Sequence, residues 1–184
     1  MNLTLPDRRM SVDEFLDWSK RQERGKYELF DGVVVMQQSQ RWRHARVKLE
    51  IAILLRQAVK QASLACYVAP DGMTVRPPSG GKAFEPDALL AALPEPDLDS
   101  LEVANPLIVI EVLSPSTAQV DVTVKLQAYF EIPTVEHYLV VDPDSRMVIH
   151  FRRSGTALET RIISDGVLAL EHLGIGIDMA ELFR

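Results

Sequence analysis

The sequence predicts a single α/β domain in which a mixed β-sheet is flanked by helices. The chain has 184 residues, a length that suits one compact domain. Segments with helical spacing alternate with short strand-like segments along the chain. The segment 107–113 is apolar on both faces except at one position, as expected of a strand buried on both sides, so we place it at the centre of the sheet.

Composition excludes several other classes of protein. Hydrophobic residues make up 47% of the chain and charged residues 25%, which is ordinary globular usage and rules out a disordered, collagen-like or coiled-coil protein. No apolar run approaches the roughly 20 residues of a membrane helix, and the N-terminus lacks the apolar segment of a signal peptide. We therefore expect a cytoplasmic protein with no membrane contact. With Cys66 the single cysteine, an intrachain disulfide and a thiolate zinc cluster are excluded.

The net charge of −6 is unevenly distributed. Residues 20–48 contain eight Lys/Arg and three acidic residues, a local charge of +5, and the remainder carries −11. A basic zone of this kind could contact phosphates. On charge alone, however, a solvated helix face is the simpler interpretation.

The first half of the chain shows clear start and turn signals. Ser11 and Glu14 have the spacing of a capping box, which predicts a helix that begins at Ser11. Asp31-Gly32 suits a tight hairpin turn between strands 26–30 and 33–37. Apolar residues then recur at three- and four-residue steps over 43–62, which predicts a long helix.

In the second half, strands outnumber helices. We predict strands at 64–69, 73–76, 84–92, 107–113, 137–141, 147–152 and 157–163, a loop at 77–81 and an acidic connection at 93–105. A helix N-cap within 114–117 starts a helix that runs to about Glu131, before Pro133. A short helix near 178–183 ends the domain. Residues 1–10 are left as an N-terminal arm, either flexible or exchanged between subunits.

Glu111 is the most informative residue because its neighbours in the central strand are all aliphatic. A lone buried carboxylate is unfavourable unless a cation or hydrogen-bond donors compensate it. A salt bridge to a core Lys or Arg is the structural explanation. A functional site is the one we favour, since buried acids cluster at such sites.

A second acid, Asp87, follows Pro86 at a predicted strand start and could equally be a surface residue. Two carboxylates at the ends of neighbouring strands would, however, form a cradle for a hard divalent cation such as Mg²⁺. Asp121 and Lys125 share a helix face at i, i+4, which fits either a surface ion pair or a lysine that reaches the metal and a phosphate. Glu28 and His44 are unremarkable by pattern alone.

Taken together, these residues resemble those of a family of bacterial proteins called putative restriction endonucleases, within the PD-(D/E)xK nuclease superfamily. The match covers about 11–152. Its most specific part is the string Glu-Val-Leu-Ser-Pro-Ser-Thr from Glu111, followed by an Asp, a Lys and then Tyr-x-x-Val-Asp-Pro. The matching positions are 27–32, His44, Pro86-Asp87, 111–117, Asp121, Lys125 and 138–143. Leu113 departs from the superfamily pattern, because a lysine would stand there; Lys125 on the following helix takes its place in this family.

The resemblance implies a restriction-endonuclease-like fold and a metal site. Mg²⁺ or Mn²⁺ would be held by Asp87, Glu111 and the backbone carbonyl of Val112, and Lys125 and Glu28 would complete the catalytic set. Asp121 and His44 are candidates to position these residues without binding the metal themselves. The stretch Arg41, Arg43, Arg46 and Lys48 is the candidate nucleic-acid contact.

The leading hypothesis is a Mg²⁺-dependent endonuclease that hydrolyses phosphodiester bonds, with DNA the favoured nucleic acid. A homodimer would suit double-strand cleavage. Two alternatives stay open: a nuclease-fold module that binds nucleic acid or protein with weak or no catalysis, and a metal hydrolase for small phosphoesters. The fold analogy alone does not decide between them.

Overall fold

In the computed structural model, which describes residues 5–114 and 121–184 and only the backbone of Asp121, a six-stranded mixed sheet forms the centre. It takes its strands in chain order from the third to the eighth. The pair formed by the fifth and sixth strands is parallel and the other four pairs are antiparallel. The strands are β1 Tyr27–Phe30, β2 Val33–Met36, β3 Cys66–Pro70, β4 Ala88–Ala92, β5 Pro106–Val112, β6 His137–Asp142, β7 Met147–Ser154, β8 Ala157–Ile163, β9 Val167–Leu170 and β10 Ile175–Asp178.

Helices cover both faces of this sheet, which confirms the predicted fold class. They are α1 Val12–Ser19, α2 Trp42–Gln61, a π-helical turn Asp121–Lys125 that continues into α3 Leu126–Phe130, and α4 Met179–Leu182. One face of β5, with Ile108 and Ile110, packs in a core that includes Ile51 of α2. The other face, with Val109, packs in a core that includes Tyr129 of α3. β5 is thus buried on both sides, as its sequence predicts.

Two small hairpins extend this core. β1 and β2 pair around Asp31-Gly32, where both residues have positive φ (48° and 83°), as the predicted turn requires. Backbone hydrogen bonds in both directions between Leu29 and Ala83 attach this hairpin to the segment before β4. β9 and β10 form the second hairpin.

Several predicted elements are confirmed and others differ. The capping box of Ser11 and Glu14 is present in full, and Met10 is buried in the core beside α1. Residues 73–76 make only isolated bridges and no strand. The predicted strand 84–92 begins at Ala88, and the β9–β10 hairpin was not predicted. The predicted N-cap falls mostly on 115–117, which lie outside the described residues.

No helix within the described ranges is both long enough and apolar enough to cross a membrane.

Candidate metal centre and its cleft

Asp87 and Glu111 lie at the same end of two adjacent strands. Asp87 immediately precedes β4, and its N–H donates to the carbonyl of Ile110 at 2.9 Å. Glu111 is the next-to-last residue of β5, and β4 and β5 are antiparallel with Ala88 opposite Ile110. Both carboxylates are buried, with 6% and 4% of the residue exposed. The sheet therefore brings together the two acids that the sequence singled out.

Asp87 is held by a backbone donor and by a lysine of α2. Its Oδ2 accepts the N–H of Val112 at 2.6 Å, and its Oδ1 lies 2.5 Å from Lys48 Nζ. Lys48 Nζ is also 2.7 Å from Asp71 Oδ2, and Lys26 contacts the same oxygen. Burial alone would lower the pKa of Lys48, but the charge of Asp87 and the hydrogen bonds to both aspartates outweigh it and raise that pKa. The charge on Asp87 is thereby compensated inside the protein.

Glu111 is held from the opposite face of the sheet. Its Oε1 accepts hydrogen bonds from Lys125 Nζ at 2.9 Å and from the Tyr129 hydroxyl at 2.7 Å. Lys125 Nζ also lies 2.9 Å from Glu28 Oε1, so one ammonium bridges two buried carboxylates. Burial, and then the charges of Glu111 and Glu28, raise the pKa of Tyr129 well above its usual value. The Tyr129 hydroxyl therefore keeps its proton at neutral pH and donates it in the hydrogen bond to Glu111.

Glu28 reaches this network from β1, and a further acid lies beside it. The backbone N–H of Glu85 donates to Glu28 Oε1 at 3.0 Å. Burial raises the pKa of the Glu85 carboxyl to about 7, with the charges of Glu28 and Asp71 acting in the same direction and Lys26 and Lys48 against it. A carboxyl group that titrates near neutrality thus lies two residues before Asp87.

His44 lies against the carbonyl that the sequence assigned to the metal. Its Nε2 contacts the carbonyl oxygen of Val112 and is 3.8 Å from Asp87 Oδ2. Its Nδ1 is buried and has no hydrogen-bond partner among the described residues. His44 is therefore next to the predicted metal ligands.

The four residues predicted to contact nucleic acid do not form one exposed surface. Arg41 and Arg43 are exposed at the start of α2, and Arg43 contacts Asp144 in the turn after β6. The guanidinium of Arg46 instead contacts the carbonyl oxygen of Arg184. Lys48 is only 6% exposed and bound to two aspartates, so it is not available to a phosphate at the surface as predicted. The side chain of Asp121 lies outside the described residues.

A cleft of about 460 Å³ opens over the two acids. Glu111, Asp87, Val112 and Lys125 form part of its wall, and polar residues at the start of α2 and in the loop before it form another part. The lining residues are Gln37, Gln38, Ser39, Gln40, Arg41, Trp42, Arg43, His44, Asp87, Glu111, Val112, Leu113, Ser114, Lys125, Pro143 and Asp144.

Sequence reasoning missed the partners that hold the acids in place. Lys48 was grouped with the candidate nucleic-acid contacts, and Tyr129 was not singled out. Asp71 gave no signal, because it follows a strand as an ordinary turn residue. The position of Lys48 directly after Val47, within the apolar spacing of α2, was the one indication that its stem would be buried.

The oxygen atoms at this end of β4 and β5 fit a hard divalent cation. Asp87, Glu111 and the Val112 carbonyl offer oxygen atoms, which Mg²⁺ and Mn²⁺ prefer. Within 5–114 and 121–184, no group of three or more His, Cys, Asp or Glu side chains is arranged to hold a metal ion by itself. In Mg²⁺ sites generally, one or two carboxylates bind the ion, and water and substrate phosphate supply the other ligands.

Comparison with known proteins gives consistent results. A protein of Synechocystis sp. is 24% identical over 181 residues, which cover 97% of this chain and 94% of that protein. A crystal structure of "a putative nuclease belonging to DUF820" from Anabaena variabilis superimposes with a TM-score of 0.73 at 19% identity, covering 95% of this chain and 97% of that one. At this identity the likeness shows the fold. The model of the Uma2 family, described as "Putative restriction endonuclease", matches residues 12–180. Because that match spans nearly the whole chain, the protein belongs to the Uma2 family.

Proposed function

We propose that this protein is a metal-dependent endonuclease that hydrolyses phosphodiester bonds in nucleic acid, with DNA the favoured substrate. One observation carries the proposal. Two buried carboxylates, Asp87 and Glu111, end adjacent strands at one cleft, and each has a buried lysine within 3 Å. Membership of a family named for restriction endonucleases supports the same reaction class.

Asp87, Glu111 and the carbonyl of Val112 would hold Mg²⁺ or Mn²⁺ in this function. When bound, such an ion lowers the pKa of a coordinated water and offsets the charge that develops on the phosphate. Val112 would serve twice, because its N–H already orients Asp87 and its carbonyl faces His44. The contact of His44 with that carbonyl must open or shift for the oxygen to act as a ligand.

The chain's own cations and donors then have distinct roles. Lys125, fixed between Glu28 and Glu111, presents a positive charge at the cleft, where it can orient the attacking water and stabilise the transition state electrostatically. Tyr129 holds Glu111 in one orientation. Lys48 does the same for Asp87. The exposed Arg41 is available to substrate phosphates, as is Arg43 once its contact with Asp144 opens.

The decisive experiment compares Asp87→Asn and Glu111→Gln with Asp144→Asn in cleavage of a plasmid and of a single-stranded oligonucleotide with and without Mg²⁺. The first two changes keep the side-chain shape and remove a proposed ligand charge, so they should abolish Mg²⁺-dependent cleavage. Asp144 lines the same cleft but is exposed and is no proposed metal ligand. Its variant should keep at least the activity of the unaltered protein, because its loss releases Arg43 to the substrate. If both acid variants cleave as well as the unaltered protein, the proposal is wrong.

The alternative, a nuclease-fold module that binds without catalysis, has one observation in its favour. Asp87 and Glu111 each already have a lysine partner within the protein, although Glu111 shares its lysine with Glu28, so each acid has a compensating cation without a metal. This alternative predicts that nucleic acid or a protein partner binds equally well with Mg²⁺ or with EDTA, and that no product forms under either condition.

A further inference from the structure

Trp42 is exposed in a way that no other aromatic residue of the chain is. The sequence contains two Trp, four Tyr and six Phe, and all twelve lie in the described ranges. Among these, only Trp42 is exposed, with 81% of the residue accessible to solvent, and the others are buried or half-buried. An indole in water forgoes the free energy of burial, so this position requires an explanation.

Trp42 belongs to the cleft that contains the candidate metal ligands. It is the first residue of α2, two positions before His44, and it lines the same cleft as Asp87 and Glu111. The aromatic face and the acids are therefore presented to the same ligand.

The surroundings of Trp42 are polar and cationic. Arg41 and Arg43 flank it in sequence and are exposed. The preceding segment, residues 37–40, supplies three glutamines and a serine to the cleft wall. Leu49 and Ile53 are exposed further along the same face of α2 but do not line the cleft, so the stretch of cleft wall that flanks the indole in sequence lacks the further apolar side chains that an apolar protein partner would require. An indole, two guanidinium groups and several amides instead match the three parts of a nucleotide: base face, phosphate and base edge.

We propose that Trp42 stacks on an unpaired base of the substrate, so that the site acts on single-stranded or locally unpaired nucleic acid. This inference rests on the proposed function for its reaction and adds the substrate class. A base presents its face to a side chain only when it has left the stack of a helix.

The experiment measures binding of the full chain, in EDTA so that no cleavage occurs, to a labelled single-stranded oligonucleotide and to the same sequence as a blunt duplex. Fluorescence anisotropy gives the affinity for the unaltered protein, Trp42→Ala, Trp42→Phe and the control Leu98→Ala. Leu98 is fully exposed in the connection after β4 and does not line the cleft. Loss of one stacked base should weaken single-strand binding by about 5- to 150-fold in Trp42→Ala and less in Trp42→Phe, with no change in Leu98→Ala.

A second readout follows the indole itself. Single-strand binding should quench the tryptophan emission of the unaltered protein and leave that of Trp42→Phe unchanged. The remaining tryptophan of this variant, Trp18 of α1, is partly buried against the cluster around that helix and does not line the cleft. Equal single-strand affinity of Trp42→Ala and the unaltered protein would overturn the inference, as would tighter binding of the duplex or no binding at all. Single-strand binding that depends on Trp42, together with no cleavage when Mg²⁺ is restored, would leave the inference standing and reject the endonuclease.

Discussion

At the scale of single residues, the site is a set of buried charges arranged so that each carboxylate faces an ammonium. Glu111 could be predicted from sequence because a lone acid in an aliphatic strand requires a partner. The partner itself could not be identified, because Lys48 and Lys125 are separated from their acids by 39 and 14 positions, and helical spacing does not reveal which strand end a lysine reaches. The resemblance supplied Lys125, and nothing in the sequence supplied Lys48 as the partner of Asp87.

The ion pairs of Lys125 lead to a prediction about stability. Lys125→Met would leave Glu28 and Glu111 buried without the ammonium that bridges them. Removing one partner from a buried pair typically costs about 3–5 kcal/mol, because the remaining charge is uncompensated. We expect urea denaturation to show a loss of that size in the free energy of unfolding.

A matched control is Lys82→Met. Lys82 also pairs with an acid, Asp31, but that carboxylate is exposed, so its loss should cost less than about 1 kcal/mol. The double variant Lys125→Met with Glu28→Gln should recover part of the lost stability. Equal stability of Lys125→Met and Lys82→Met would contradict the bridging role.

At the scale of elements, strands with alternating or continuous apolar residues were predicted well, and those with weaker patterns were not. β5 and β6 were located to within two residues of each end. The β9–β10 hairpin was missed although Leu168, Leu170, Ile175 and Ile177 are buried in alternation. Each strand has only four residues, too few for the period to stand out, and their burial depends on the core beneath α2. Residues 73–76 show the opposite error, since an apolar pattern there leads only to isolated bridges.

The pairing of β6 with β7 creates a buried histidine pair that should make stability depend on pH. His137 Nδ1 and His150 Nε2 share a hydrogen bond of 2.8 Å. Burial lowers the pKa of each to about 4, and the charge of His150 contributes to the shift at His137. The unfolded chain protonates its histidines near pH 6.5. The free energy that this pair contributes to stability is therefore fully present above that pH and is lost as the pH drops towards 4. For one such histidine the loss between pH 8 and pH 5 is about 2 kcal/mol.

His150→Phe removes one of the two titrating groups and keeps an aromatic ring in β7. Between pH 8 and pH 5, we expect its unfolding free energy to lose about 2 kcal/mol less than that of the unaltered protein. His172→Asn, at an exposed position, should keep the full dependence. Glu85 makes stability depend on pH in the opposite direction, since its raised pKa favours the folded state as the pH falls. Because Glu85 is present in every variant, its contribution cancels in the difference between variants. An unchanged slope in His150→Phe would show that the pair does not control acid stability.

At the scale of the whole molecule, the candidate site depends on three packed clusters at once. β4, β5 and β6 send alternate side chains into the two cores on either face of the sheet, for example Leu89 and Leu90 of β4, so neither core can open alone. A third cluster, formed by α1 and the β1–β2 hairpin, is joined to them by the ring contact of Phe30 with Phe84, whose centroids are 4.9 Å apart, and by the ion pair of Glu28 with Lys125.

This coupling predicts that the chain unfolds as one unit, which is the test of the single domain proposed for residues 1–184. Trp18 packs edge-on against Tyr27, with ring centroids 4.8 Å apart, and so reports on the third cluster, whereas far-UV circular dichroism reports on the sheet and α2. In Trp42→Phe, where Trp18 is the remaining tryptophan, both signals should show the same urea midpoint and slope, as a two-state transition requires. An earlier Trp18 transition would mean that α1 and the β1–β2 hairpin form a separate unit. In that case Glu28 could leave the site while Asp87 and Glu111 stayed in place, because the strands that carry them belong to the central sheet.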